Sequence, residues 1–175
     1  MKHKLKNVRL SFPNLFQKAV FNGAETKYEA TFLLSKEDHA EVIAAIEKDI
    51  SERIKTDLKG SKLPSDRKCL KNGDESEYDG YEGCMSFKAG SQKRPMVIDR
   101  DKSPLTEDDD KLYAGCYVNA IVELWVQNNR YGKRINANIL GVQFAKDGEA
   151  FGGKGESGSV DDFDDLGDDD DDFDF

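Results

Sequence analysis

Residues Gly115–Gln127 read GCYVNAIVELWVQ. Val118, Ala120, Val122, Leu124 and Val126 alternate with Asn119, Ile121, Glu123, Trp125 and Gln127. A period of two in a long β-branched run predicts a strand with one face in a core and the other at a surface. Trp125, the single tryptophan of the chain, falls on the more polar face. Asn128-Asn129-Arg130-Tyr131-Gly132-Lys133-Arg134 then predicts a turn, and Ile135–Ala145 (INANILGVQFA) a strand that pairs back, with Gly141 marking a bulge or bend. Long, bent, glycine-kinked strands are what closing a sheet into a barrel requires.

Upstream, residues 5–12 (LKNVRLSF) place Val8, Leu10 and Phe12 on one face, and residues 27–34 (KYEATFLL) do the same with Tyr28, Ala30, Phe32 and Leu34. Pro13-Asn14 ends the first strand, since proline cannot continue the ladder. Ser35 then reads as the N-cap of a helix of about six turns ending near Lys59-Gly60. Ile43, Ile46, Ile50, Ile54 and Leu58 form one apolar stripe on it, as for a helix packed on a sheet or barrel. Residues 60–82 are loop-like and hold a loose basic cluster, Lys62, Arg67, Lys68 and Lys71. Strand signals return at Cys84–Ala89, with Phe87 inward, and at Pro95–Asp99, joined by a hairpin-type link through Lys93 and Arg94. There is no βαβ alternation. The sum predicts a mainly β fold, a small antiparallel barrel of the OB type with one long helix. The helix follows the second visible strand, whereas the usual OB order places it after the third.

The chain has 175 residues and a net charge of −9, but its charge is divided unevenly. Residues 156–175 (ESGSVDDFDDLGDDDDDFDF) hold eleven acids and no base, so residues 1–155 carry 26 basic and 24 acidic groups. The expected organisation is a folded domain over residues 1–151, then a flexible glycine linker and acidic tail over 152–175. The tail's repelling charges and few apolar groups predict disorder. Phe163, Leu166, Phe173 and Phe175 punctuate it, which suits a ligand for a basic groove with an apolar pocket. No apolar run reaches the roughly 20 residues of a membrane span, and the N-terminus lacks a signal-peptide core, so a cytosolic location is expected. Cys69, Cys84 and Cys116 form no CxxC pair and read as reduced, mostly buried thiols. No cofactor or metal is expected.

No catalytic centre announces itself. His3 lies in an N-terminal segment expected to fray and His39 in the helix, and there is no phosphate loop. Asp108-Asp109-Asp110 lacks the interleaved spacing of a calcium loop. The positive signs are aromatic and basic. Trp125 and Tyr131 beside Arg130, Lys133 and Arg134 form the pattern of a platform on which bases stack while cations meet phosphates. Lys88, Lys93 and Arg94 extend that basic edge. Arg9 and Tyr81, the latter with Tyr78 in a glycine-rich loop, join the candidate DNA-binding set.

NVRLSFPNLF (Asn7–Phe16), GCYVNAIVELW (Gly115–Trp125), ILGVQFAKDGEAF (Ile139–Phe151) and the acidic tail resemble the single-stranded-DNA-binding proteins of tailed bacteriophages. The resemblance implies an OB fold, sequence-independent binding of single strands, and roles in phage replication, recombination and repair within the infected host's cytoplasm. Asp170, Asp171, Asp172, Phe173, Asp174 and Phe175 are then expected to recruit replication proteins such as a polymerase or helicase–primase, and the whole acidic tail, as a polyanion, to compete weakly for the DNA groove. A homodimer through an edge strand or the helix is left open. The competing readings are a DNA mimic or inhibitor acting through the tail, and a metal-dependent nucleic-acid enzyme using Asp108–Asp110.

Overall fold

The computed structural model describes residues 2–78 and 80–151; every expectation for the tail lies outside them. Among the described residues the chain forms β1 (Lys2–Asn14), β2 (Val20–Phe21), β3 (Ala24–Glu25), β4 (Tyr28–Ser35) and α1 (Ala40–Asp57). Then follow β5 (Leu70–Asn72), β6 (Cys84–Ser91), β7 (Met96–Ile98), β8 (Tyr117–Asn129) and β9 (Gly132–Lys146). Strands β1, β4, β6, β9 and β8 close a five-stranded barrel of the OB type, antiparallel throughout except where β6 meets β9. That meeting is one parallel pairing, Gly90 with Asn138. Beyond it the strands splay and the backbone of Cys69 enters the gap. Its N–H donates to the Ile135 carbonyl, and its carbonyl accepts from the Lys88 N–H.

The alternation in β8 holds: Val118, Ala120, Val122 and Leu124 are buried against Phe32, Phe87, Leu5 and Ile139. Truncating either core phenylalanine to alanine costs about 3–5 kcal/mol. Leu140 is the extra residue where the β8–β9 register shifts, so the bulge sits beside Gly141. The turn between β8 and β9 is Arg130-Tyr131 alone, followed by Gly132 at φ 111°, a conformation that favours glycine.

Four expectations need correction. The helix begins at Ala40, not directly after Ser35. Ser35 Oγ accepts from the Asp38 N–H, but Lys36–His39 form a turn before the helix starts. The His39 ring closes that turn: Nδ1 accepts from the Ser35 N–H, so Nε2 carries the proton and donates to the Lys6 carbonyl. Strands β6 and β7 do not form a hairpin; both run parallel to β9. Phe12 does not join Val8 and Leu10 in the core. It takes φ 47° at a register shift between Ser11 and Asn14, which turns its ring outward and buries Ser11 instead.

His3, finally, is not frayed. It lies in β1 at 5% exposure and its Nε2 sits 2.8 Å from Asp49 Oδ2 of α1. Arg53 Nε donates to the other carboxylate oxygen at 2.9 Å. Burial pushes the Asp49 carboxyl up, but the hydrogen bonds and charges of His3 and Arg53 outweigh it and hold the group below its ordinary value. This network and the Ile43, Ile46 and Ile50 stripe fix α1 on β1, β8 and β9. α1 thus follows the barrel's second strand, as the sequence order indicates, and leaves Trp125 uncovered.

Candidate nucleic-acid interface

The outward faces of β8, β9, β6 and β4 form the floor of a long groove. Outward residues of β8 and β9 bring Trp125, Gln127, Arg134, Asn136 and Asn138 to one part of it. Lys88 of β6 and the segment Asp66–Lys71 complete this part, with Lys27 and Tyr131 at its rim. Six cations therefore line it (Lys27, Arg67, Lys68, Lys71, Lys88, Arg134) against one carboxylate, Asp66. Trp125 is 39% exposed and Tyr131 68%. Arg130 Nη2 donates to the Tyr131 hydroxyl at 2.8 Å, with its guanidinium carbon 4.9 Å from the ring centre. Arg134 donates to the Asp66 carbonyl at 3.1 Å, and Lys133 Nζ to Ser61 Oγ at 2.8 Å. These bonds hold the β8–β9 turn against the segment that follows α1.

The groove continues past Asp66, Cys69, Lys71 and Lys88 into a second part. Phe12, Val20 and Tyr78 line it, with Tyr81 behind them. Phe12 and Tyr78 meet edge to face at 4.9 Å between ring centres, and Tyr78 leans on Tyr81 at 5.4 Å. The carboxylates Glu29, Asp66 and Glu75 also line this part, and Lys88 lies 3.5 Å from Glu29. The lining cations therefore gather in the Trp125 part, while the Phe12 part offers ring faces. Burial pushes the Cys69 thiol, at the groove's floor, up to about 12, so it is a neutral apolar element there.

Of the residues singled out in the sequence, the structure brings Trp125, Tyr131, Arg134 and Lys88 together, with Arg130 and Lys133 bracing the turn. It places the others elsewhere. Tyr81 is only 5% exposed, and its hydroxyl lies 2.7 Å from Ser11 Oγ. Burial pushes its phenol up, and it supports Tyr78 rather than offering a face of its own. Arg9 hydrogen-bonds the Gly115 and Glu149 carbonyls and stacks 3.9 Å over Phe151, closing the end of the domain. Arg94 sits 5.5 Å over Phe16, and neither it nor Lys93 lines the groove. Sequence reasoning missed Phe12 and Lys27 as groove residues. Arg67, Lys68 and Lys71 were visible only as a loose cluster with no stated position. Asp109, in the acidic loop, accepts from both the Thr106 N–H and the Thr106 hydroxyl through one carboxylate oxygen.

A closed barrel whose outer strands and flanking loops frame an open, cationic groove with exposed rings defines the oligonucleotide-binding class of OB barrels. The chain belongs to the family of the ssDNA-binding protein of Enterobacter phage Enc34, whose model matches residues 1–174. It is 42% identical to putative protein p50 of Acyrthosiphon pisum secondary endosymbiont phage 1, over 95% of this chain and 94% of that one. The single-stranded DNA-binding protein from bacteriophage Enc34, solved in complex with ssDNA, superposes with a TM-score of 0.78 at 32% identity. That match covers 85% of this chain and 88% of the other. The same phage protein without DNA superposes at 0.77, covering 92% and 89%. The family is one of binding proteins, not enzymes.

Proposed function

We propose that the chain binds single-stranded DNA along this groove without reading its sequence. The observation that carries this reading is the pairing of exposed Trp125 and Tyr131 with six lining cations. Every base has a face to stack and every nucleotide a phosphate, so neither contact selects a sequence. The Enc34 protein solved with ssDNA supports the same ligand. The amide groups of Gln127, Asn136 and Asn138 give the floor hydrogen-bonding capacity without net charge. Binding would protect single strands during replication, recombination and repair of phage DNA in the host cytoplasm. No helix among the described residues is long and apolar enough to cross a membrane.

The acidic segment has two parts in this reading. Asp170–Phe175 recruits replication proteins such as a polymerase or helicase–primase, through Phe173 and Phe175 flanked by aspartates. As a polyanion it also competes weakly for the groove. Deleting residues 156–175 is then expected to tighten DNA binding at low salt and to have little effect at high salt. Phe175→Ala is expected to end partner recruitment and to leave the competition intact.

The deciding experiment is a titration of the full chain with unstructured oligonucleotides, following Trp125 fluorescence. Quenching of equal size by different sequences, and a gel shift with single strands at concentrations where duplex stays free, is the expected result. Trp125→Ala is expected to weaken binding by about 1–3 kcal/mol. Binding to duplex alone, or unchanged affinity in Trp125→Ala, would refute the groove.

A further inference from the structure

A second surface, sharing no lining residue with the groove, lies across four neighbouring strands. The register defines it. Lys4 of β1 opposes Ile121 of β8, Ile121 opposes Gly141 of β9, and Gly141 opposes Met96 of β7. In the adjoining row Asn119 opposes Gln143, which opposes Ile98. Gly141 has no side chain, so a slot opens between Ile121 and Met96, which are 38% and 65% exposed. A Cβ on Gly141 would make only ordinary contact with Met96, so packing does not require the glycine. Lys4 and Lys6 border the slot on the β1 side and Lys102 on the β7 side, and no carboxylate lines it. None of the three lysines has an ion-pair partner among the described residues.

We propose that this slot holds the chain's own Asp161–Leu166 segment, with Phe163 over Gly141 between Ile121 and Met96. The chemistry of the two matches. The slot is apolar with cations on both sides; the segment, DDFDDL, is an aromatic ring with two aspartates on each side. Burying the ring supplies affinity, and the charges set register and orientation. Phe173 and Phe175 fit less well: a single aspartate, Asp174, separates the two rings where Phe163 has two on each side, and closing the longer loop costs more chain entropy. Reach is ample. Phe151 is held over Arg9, which pairs with Tyr117 of β8, and Tyr117 lies about 13 Å along the strand from Ile121. The 12 residues from Phe151 to Phe163 span up to about 40 Å. Docking there leaves Asp170–Phe175 available to partners, and the inference stands whatever the groove binds.

The test uses the full chain with isotope-labelled methionine methyl groups, followed by NMR. A ring seated on the slot displaces the Met96 methyl resonance upfield. Phe163→Ala is expected to abolish that displacement and to leave Met85, beside the barrel core, unmoved. Lys4→Glu with Lys102→Glu is expected to abolish it as well, and saturating the groove with oligonucleotide to leave it in place. A Met96 resonance indifferent to Phe163→Ala overturns the proposal. So does one that responds to Phe173→Ala instead. A displacement lost on dilution means the segment comes from a second copy, which overturns docking within the chain.

Discussion

Replacing Lys68 and Lys71 together by glutamine tests the groove's electrostatics most directly. Both line the Trp125 part, and neither has a carboxylate partner among the described residues. If all six lining cations each meet one phosphate, the log–log dependence of affinity on salt has a slope of about −4, at roughly −0.7 per contact for a single strand. Removing two contacts brings the slope to about −3. Raising salt from about 50 to about 200 mM then narrows the gap between wild type and variant by about sevenfold. The assay is Trp125 quenching by an oligonucleotide at four or five salt concentrations, with Lys93→Gln/Arg94→Gln as the companion variant. The companion removes two cations that do not line the groove and is expected to keep the full slope. An unchanged slope in the Lys68/Lys71 variant, or an equal loss in the companion, would refute the placement of the phosphate path.

Phe12→Gly relieves a left-handed backbone position but removes a ring. Its unfolding free energy is expected to stay within about 1 kcal/mol of wild type, while affinity for long oligonucleotides falls by about 1–3 kcal/mol. Unchanged affinity would mean the ring serves only to cover Tyr78. The Asp49 carboxyl is held below its ordinary value in the folded chain, so its contribution is present above the unfolded-state value and lost as pH falls through the folded one. Urea unfolding is expected to find Asp49→Asn less stable by about 1–3 kcal/mol at pH 7, with the two curves converging below about pH 4. Cys69, its thiol pushed up to about 12, is expected to resist a thiol-reactive dye at pH 8 until urea unfolds the chain. Rapid labelling of Cys69 in native protein would place it at an open surface rather than in the floor.

The long hairpin was legible because β8 buries one whole face, so its period of two is written in Val118, Ala120, Val122 and Leu124. Trp125 followed from that phase, and Tyr131 from the turn signal after it. Phe12 was misplaced because alternation assumes an unbroken strand, and nothing local announces that the backbone reverses its phase at φ 47°. β5 is three residues long and carries no period of its own. It exists because Cys69 fits between β6 and β9, a contact made across the fold. The same insertion carries Arg67, Lys68 and Lys71 to Trp125, so their cluster could be seen but not located. Tyr78 and Tyr81 sit in a loop without periodicity, and only the hydroxyl partner Ser11, itself buried by the shift at Phe12, decides which ring is exposed.

The parallel contact of Gly90 with Asn138 is the barrel's seam, a single stitch with Cys69 wedged beside it. The groove runs directly over this seam, with Lys88 on one lip and Trp125 and Arg134 on the other. A DNA strand held by both lips, as proposed, would span the join like a suture. Ligand would then act as a fastener for the fold's least-laced edge, and opening the cylinder there would first require letting go of the strand. Amide exchange in Lys88–Gly90 and Asn136–Asn138 would slow most on binding, ahead of the well-laced β1–β8 side.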